Sequence, residues 1–322
     1  MPERAARAGR EGQPSASSMR DASGRRRRRR RLLPRWFMAW PALLWWAFFF
    51  VIPLVWIAYY SLGVKPADLS QGAVSLETLS FTNYVAATSE IFLKVFWITV
   101  RTGGLGTIAC ALVGFPVAYA LANYVSPRWR AILLFLLVLP YWTSFLLRTF
   151  AWRIVLAPEG TLSGALQALG FLDRPLGILD TNAAVQLGII YNYLPLMILP
   201  MFVALDRIDP ALPKASMDLG AGPVATFFSV TVPLAMPGIL GGLLMTFILA
   251  TGDYVVPAIL GGARGLMVGN LVATQILASQ NLPLGAAMAI MLIAMLALVV
   301  AATGAAMMGV RGALRMLRGP AI

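Results

Sequence analysis

Few side chains in this 322-residue sequence have chemistry to offer. Asp253 stands beside Tyr254, Tyr141 and Trp142 follow Pro140, and Asn192 lies between Tyr191 and Tyr193, each within or next to a long apolar run. A carboxylate and aromatic faces together replace water around a cation that must cross an apolar medium. They do not make hydrolytic machinery. The sequence has no histidine, which removes the commonest general base and the Ser-His-Asp arrangement. Cys110 is the sole cysteine, so neither an internal disulfide nor a thiolate metal cluster is available. No catalytic set and no metal site is expected. The competing readings are structural: a helix-end acid facing water for Asp253, ordinary packing for Tyr141 and Trp142, and bonds across helices for Asn192 and Gln186.

The elements that must position these residues are membrane helices. Apolar residues make up 59% of the sequence and charged residues 12%, against roughly 25% charged in a soluble domain. Six stretches meet the requirement of about 20 mostly apolar residues for a span: 36–60, 96–123, 131–156, 183–205, 231–251 and 284–309. The expected fold is an all-α polytopic membrane protein. Residues 1–35 hold twelve arginines against Glu3, Glu11 and Asp21, and carry most of the net charge of +13. They read as a disordered basic tail whose run Arg25–Arg31 holds the N-terminus in the cytoplasm. Arg128, Arg130, Arg207, Lys214 and the basic C-terminus, 311–322, fall on the same side, giving N-in and C-in. At 1.5 Å per residue Asp253 stands about 30 Å above Val232, near the outer mouth, and Tyr141 and Trp142 about 15 Å into the third span. The same count sets Arg148 about 27 Å along that span, close to the outer surface. With Arg101 and Arg153 it reads as interfacial or structural.

Between the fourth and fifth spans, residues 206–223 run DRIDPALPKASMDLGAGP. Acids alternate with Arg207 and Lys214, and a short helix from Ala211 to Leu219 is expected after Pro210, ended by Gly220. A turn between two spans has no need of this order. A short amphipathic helix suits a groove on a partner.

Here the sequence resembles the permease subunits of bacterial binding-protein-dependent ABC importers, the type I importer fold. Their pattern is E-A-A, three residues, G, nine residues, I-x-L-P. Lys214-Ala215-Ser216 stands at E-A-A, Gly220 at the glycine, and Val230-Thr231-Val232-Pro233 at the end, without gaps. Asp218-Leu219-Gly220-Ala221 is a common variant, while Lys214 and Ser216 depart from glutamate and alanine. The resemblance runs along most of 36–310 and is closest to spermidine/putrescine importer permeases. Leu139-Pro140-Tyr141-Trp142-Thr143 with Arg148, Pro233 to Gly238, Gly261-Gly262, and Gly252-Asp253-Tyr254 with Pro257 carry that part of it.

The resemblance implies an inner-membrane transport subunit, multi-pass, without its own ATPase site. The segment 206–223 becomes a coupling helix in a cleft of a cytoplasmic ATPase dimer, with Asp209, Lys214, Ala215, Ser216, Asp218, Gly220 and Ala221 at the contact. ATP with Mg²⁺ belongs to that dimer, and this sequence has no G-x-x-x-x-G-K-[ST] loop. A homologous second permease and an extracytoplasmic binding protein complete the assembly, and no nucleic acid is implied. The implied cargo is a polyamine, passing Tyr141, Trp142, Asn192, Asp253 and Tyr254. The alternatives are another small solute (an amino-acid-like compound, a phosphonate or a metal ion) or a stand-alone secondary transporter. The paired repeats that often mark the latter are not found in the sequence.

Overall fold

A chain this apolar must satisfy its backbone polar groups within each segment, and helices do so. The computed structural model describes residues 35–66, 73–262 and 265–317, with backbone alone for 35–39 and 306–317. The basic tail through residue 34, Asp68, Arg264 and residues 318–322 lie outside the described residues. Among those described, no strand occurs beyond one isolated antiparallel bridge, Val64 with Ser75.

The chain divides into two units, Met1–Trp56 and Ile57–Ile322. The first contains α1 (Arg35–Trp46), a π turn (Ala47–Val51) and the start of α2 (Ile52–Tyr60). Its large apolar side chains, Trp45 against Phe49 and Trp46 against Phe50, are exposed, as suits a helix solvated by lipid.

The second unit runs through α3 (Thr82–Ala87), α4 (Glu90–Asn123), α5 (Pro127–Val138), α6 (Phe145–Leu156) and α7 (Thr161–Ala168). It continues with α8 (Asn182–Asp206), α9 (Ala211–Asp218), α10 (Pro223–Thr226) and α11 (Val232–Gly252). Then come α12 (Val255–Leu260), α13 (Val268–Ala273) and α14 (Leu282–Leu317). Five stretches are long and apolar enough to span: Trp40–Tyr60, Glu90–Asn123, Asn182–Asp206, Pro223–Gly252 and Leu282–Ala305. A bent pair, Pro127–Trp142 with Phe145–Ala168, makes the sixth.

The main core lies where α4, α8 and α11 pack, around Cys110, Ala118, Ile189, Met197, Met201 and Ala235. A second cluster joins Phe92, Val95 and Phe96 of α4 to Val268 of α13 and Met288 and Leu292 of α14. The α8–α11 crossing is close enough to require Gly238. A Cβ there would stand 2.3 Å from the Ala204 Cβ and 2.4 Å from the Pro200 carbonyl oxygen. Gly238→Ala is expected to destabilise by about 1–3 kcal/mol, the usual range for overpacking. The check is a lower thermal midpoint of the purified protein.

The third expected span, 131–156, is not one helix. After Val138 the chain takes a 3₁₀ turn (Leu139–Trp142), and the stretch Phe145–Ala168, which α6 opens, is bent by 91° from Pro127–Trp142. Pro116, Pro195, Pro200 and Pro237 sit inside unbroken helices, so proline alone does not explain the break. Pro140 is followed by a residue that captures its carbonyl. The Thr143 hydroxyl donates to the Pro140 oxygen at 2.7 Å, and its N–H does so at 3.2 Å. That local bond competes with the helix ladder.

The fifth span also departs from expectation. It starts at Pro223, eight residues earlier than 231, and passes through a π turn, Phe227–Thr231. This turn and Ala47–Val51 both end directly before an X-Pro step, Val232-Pro233 and Ile52-Pro53. Proline lacks an N–H and its ring crowds the carbonyl four residues back. Those carbonyls, of Ser229 and Phe49, lie inside the widened turns.

Candidate functional site

The segment 206–223 is built from its ends. At its start Arg130 pairs with Asp206, the last residue of α8, and donates to the Ala122 carbonyl at 2.8 Å near the end of α4. Asp209 then accepts the Ala211 N–H at 2.9 Å and opens α9. At the far end Gly220 adopts φ +90°. Its N–H bonds the Met217 carbonyl at 2.9 Å, and the Ala221 N–H bonds the Ser216 carbonyl at 3.1 Å. This crossed pair is the Schellman stop, whose left-handed position favours glycine.

The helix so defined presents Lys214, Ala215 and Asp218 to solvent, with Gly220 exposed at its stop. Leu212, Met217 and Leu219 are also exposed, Leu219 to 89%. Ser216 is half-buried, and its hydroxyl meets that of Thr226 at 3.0 Å. The departure from alanine at 216 thus ties α9 to the residue that precedes the π turn. Phe227 in that turn packs edge-on against Phe115 and Tyr119 of α4, at 5.8 and 5.5 Å. A displacement of α9 therefore has a contiguous route into both α11 and α4.

The membrane candidates meet on α8. Asn192 is 1% exposed, near the middle of this 25-residue helix. The Tyr141 hydroxyl donates to the Asn192 carbonyl, and Arg148 Nε donates to Asn192 Oδ1 at 2.8 Å. Arg148 also donates to the Pro140 carbonyl at 2.7 Å and lies 4.8 Å from the Tyr141 ring centre. Counting along a straight helix put Arg148 by the outer surface. The 91° break corrects this, turning α6 so that the guanidinium reaches the middle of α8.

One residue on, the Tyr193 hydroxyl donates to Asp253 Oδ2 at 3.1 Å. Asp253 Oδ1 accepts the N–H groups of Val255 at 2.8 Å and Val256 at 3.2 Å, capping α12. The carboxylate is 7% exposed, so it is not a helix-end acid facing water. Among the described residues the ion pairs are Arg130–Asp206 and Arg153–Asp180; Asp253 has no cation. Tyr254 contributes its carbonyl, which accepts Asn270 Nδ2 at 2.9 Å, while its ring is half exposed. Trp142 is exposed and packs edge-on against Phe135.

The structure therefore brings Tyr141 and Asn192 together and links Asp253 to the residue next to Asn192. Trp142 and Tyr254 stand apart from those bonds. Sequence reasoning offers Tyr193 as an aromatic lining the path but not its bond to Asp253, and it missed Arg148 as part of the cluster and Arg130 and Thr226 as anchors of the segment 206–223. The partners lie 44 to 76 residues apart for Arg148 and Arg130, so no spacing rule reveals them. Among the described residues no group of three His, Cys, Asp or Glu stands together to hold a metal.

Comparison with known proteins agrees with this geometry. Residues 112–308 match the model of the family described as binding-protein-dependent transport system inner membrane component. The spermidine/putrescine transport system permease protein PotB of Haemophilus influenzae is 37% identical over 222 residues, 69% of this chain and 77% of the relative. PotB of Escherichia coli is 33% identical over 226 residues, 70% and 82% of the two chains. The inner membrane ABC transporter permease protein YdcU of Escherichia coli is 34% identical over 272 residues, 77% and 85%. In fold the chain is similar to a subunit of a bacterial ABC transporter involved in the import of the acidic polysaccharide alginate. That likeness has a TM-score of 0.66 at 17% identity and covers 82% of this chain and 91% of the other. A helix order, a glycine-capped segment between the fourth and fifth spans and a family match across residues 112–308 converge, and this chain belongs to the inner membrane components of binding-protein-dependent transport systems.

Proposed function

We propose that this chain forms half of the membrane pore of an ABC importer for polyamines, driven through α9 by a separate pair of ATPase subunits. The observation that carries the cargo is the 33–37% identity, over about 70% of the chain, to permeases named for spermidine and putrescine. Asp253 fits such a cargo. A carboxylate has about four acceptor positions, and the Tyr193 hydroxyl with two N–H groups accounts for three. One remains for an ammonium. Tyr141, Trp142, Asn192 and Tyr254 supply aromatic faces and polar groups along the same path.

The drive is supported by α9. A helix stopped by a left-handed glycine and tipped with exposed Leu219 is a shape that a partner's cleft would cover. Asp209, Lys214, Ala215, Ser216, Asp218, Gly220 and Ala221 lie on or beside it. The ATPase holds ATP and Mg²⁺, a homologous second permease closes the pore, and the binding protein delivers cargo from outside. When the ATPase pair closes, α9 moves with it, and Thr226 and Phe227 pass the motion to α11 and α4.

Purification of the tagged chain from its own cells should bring down a second permease and an ATPase. Uptake of labelled spermidine should stop when ATP hydrolysis is blocked. Uptake that persists on an ion gradient, without the ATPase, would overturn the reading.

A further inference from the structure

Arg148 stands where local preference would not put it. It closes the first turn of α6, and the positive end of a helix disfavours a cation there. No carboxylate pairs with it among the described residues. It is held instead by neutral acceptors and aromatic faces. These are Asn192 Oδ1 at 2.8 Å, the Pro140 carbonyl at 2.7 Å, and the rings of Tyr141 and Phe145 at 4.8 and 5.7 Å. Carbonyl oxygens and aromatic faces bind any cation with N–H donors. The Pro140 carbonyl belongs to the end of a half-helix broken within the membrane, the kind of element that coordinates cations in other transporters.

We propose that Arg148 is a tethered stand-in for the cargo. It fills a cation seat on the path and pins the broken third span to α8, until an alkylammonium takes its place. When the guanidinium leaves, Asn192 and Pro140 lose their link to α6, and the break is free to open. The tether matters because a free ammonium fills the seat without holding α6. The inference rests on the proposed function for the cargo and for the ATPase pair whose turnover is read.

The seat carries its own test. Asn192 is buried and its Nδ2 has no partner. Asn192→Asp therefore sacrifices no bond there, and it offers the guanidinium a charged, bidentate acceptor. That tightens the pin, while Arg148→Gln releases it. In the assembled complex, freed of cargo and binding protein, Arg148→Gln should raise basal ATP hydrolysis about 3- to 10-fold. Asn192→Asp should lower it by a similar factor, and Arg148→Lys should stay closest to the unmodified chain. Millimolar n-butylammonium should raise hydrolysis by the unmodified complex and leave Arg148→Gln unchanged.

A merely structural Arg148 would shift both variants in the same direction, and that result overturns the proposal. So does an assembled Arg148→Gln complex with unaltered basal hydrolysis, or n-butylammonium without effect on the unmodified complex. If Arg148→Gln does not assemble, the direction taken by Asn192→Asp decides alone. Failure of the unmodified complex to import spermidine would remove the proposed cargo and leave these readouts standing, because they are taken without it.

Discussion

Asp253→Asn should leave the complex assembled and reduce polyamine uptake by roughly 10- to 100-fold. The substitution separates two roles of one side chain. Asparagine caps a helix about as well as aspartate, so the Val255 and Val256 N–H groups keep an acceptor and α12 keeps its start. The amide nitrogen takes the Oδ2 position and donates to the Tyr193 hydroxyl oxygen, so that contact is kept with its direction reversed. What disappears is the negative charge. Hydrogen bonds to a charged group contribute about 1.5–3 kcal/mol, and each 1.4 kcal/mol is tenfold in affinity, which sets the expected loss. Asp253→Ala should lose the cap as well, and its yield and thermal midpoint should fall together with uptake. Uptake by Asp253→Asn equal to the unmodified rate would take Asp253 off the path and leave it a capping residue.

The second large effect is expected at the other end of the fifth span. Gly220→Val should cut uptake below about a tenth while the membrane core stays intact. A β-branched residue at φ +90° carries strain of about 1–3 kcal/mol, and nothing else lies within 4 Å of the position to be disturbed. The strain is relieved by undoing the Schellman stop, which releases the Gly220–Met217 and Ala221–Ser216 bonds and lets the end of α9 unwind. Gly220→Asn should recover much of the activity, since asparagine tolerates the left-handed region. The diagnostic measurement is the ratio of molecules imported to ATP hydrolysed, beside the thermal midpoint. A fall in that ratio at an unchanged midpoint marks a coupling defect. A lowered midpoint with an unchanged ratio would place Gly220 among ordinary fold determinants.

Much of this organisation was legible before any coordinates. Length and apolarity marked the spans, because each must cross a fixed thickness of hydrocarbon. Pro210 and Gly220 marked the bounds of α9, because their backbone restrictions are local. Features made by distant partners were hidden. Hydropathy reports that residues 131–156 are apolar, but not that Thr143 captures the Pro140 carbonyl and turns the chain. A straight-helix count then misplaced Arg148. Asp253 was visible as a rare acid near the end of a span, yet its burial depends on Tyr193, sixty residues away, and on the start of α12. Arg130 looked like one more cytoplasmic charge. Its grip on Asp206 and the Ala122 carbonyl is a property of where α4, α5 and α8 converge.

The π turn at Phe227–Thr231 holds one residue more than an α-helix would need to reach Pro233. In an α-helix one residue is about 100° of rotation. Val224 and the rest of α10 therefore stand at an azimuth about the span's axis set by that surplus residue, and α9, tied to Thr226 through Ser216, is placed with them. Loss or gain of a single residue there would swing α9 around the axis of the span while α11 kept its register.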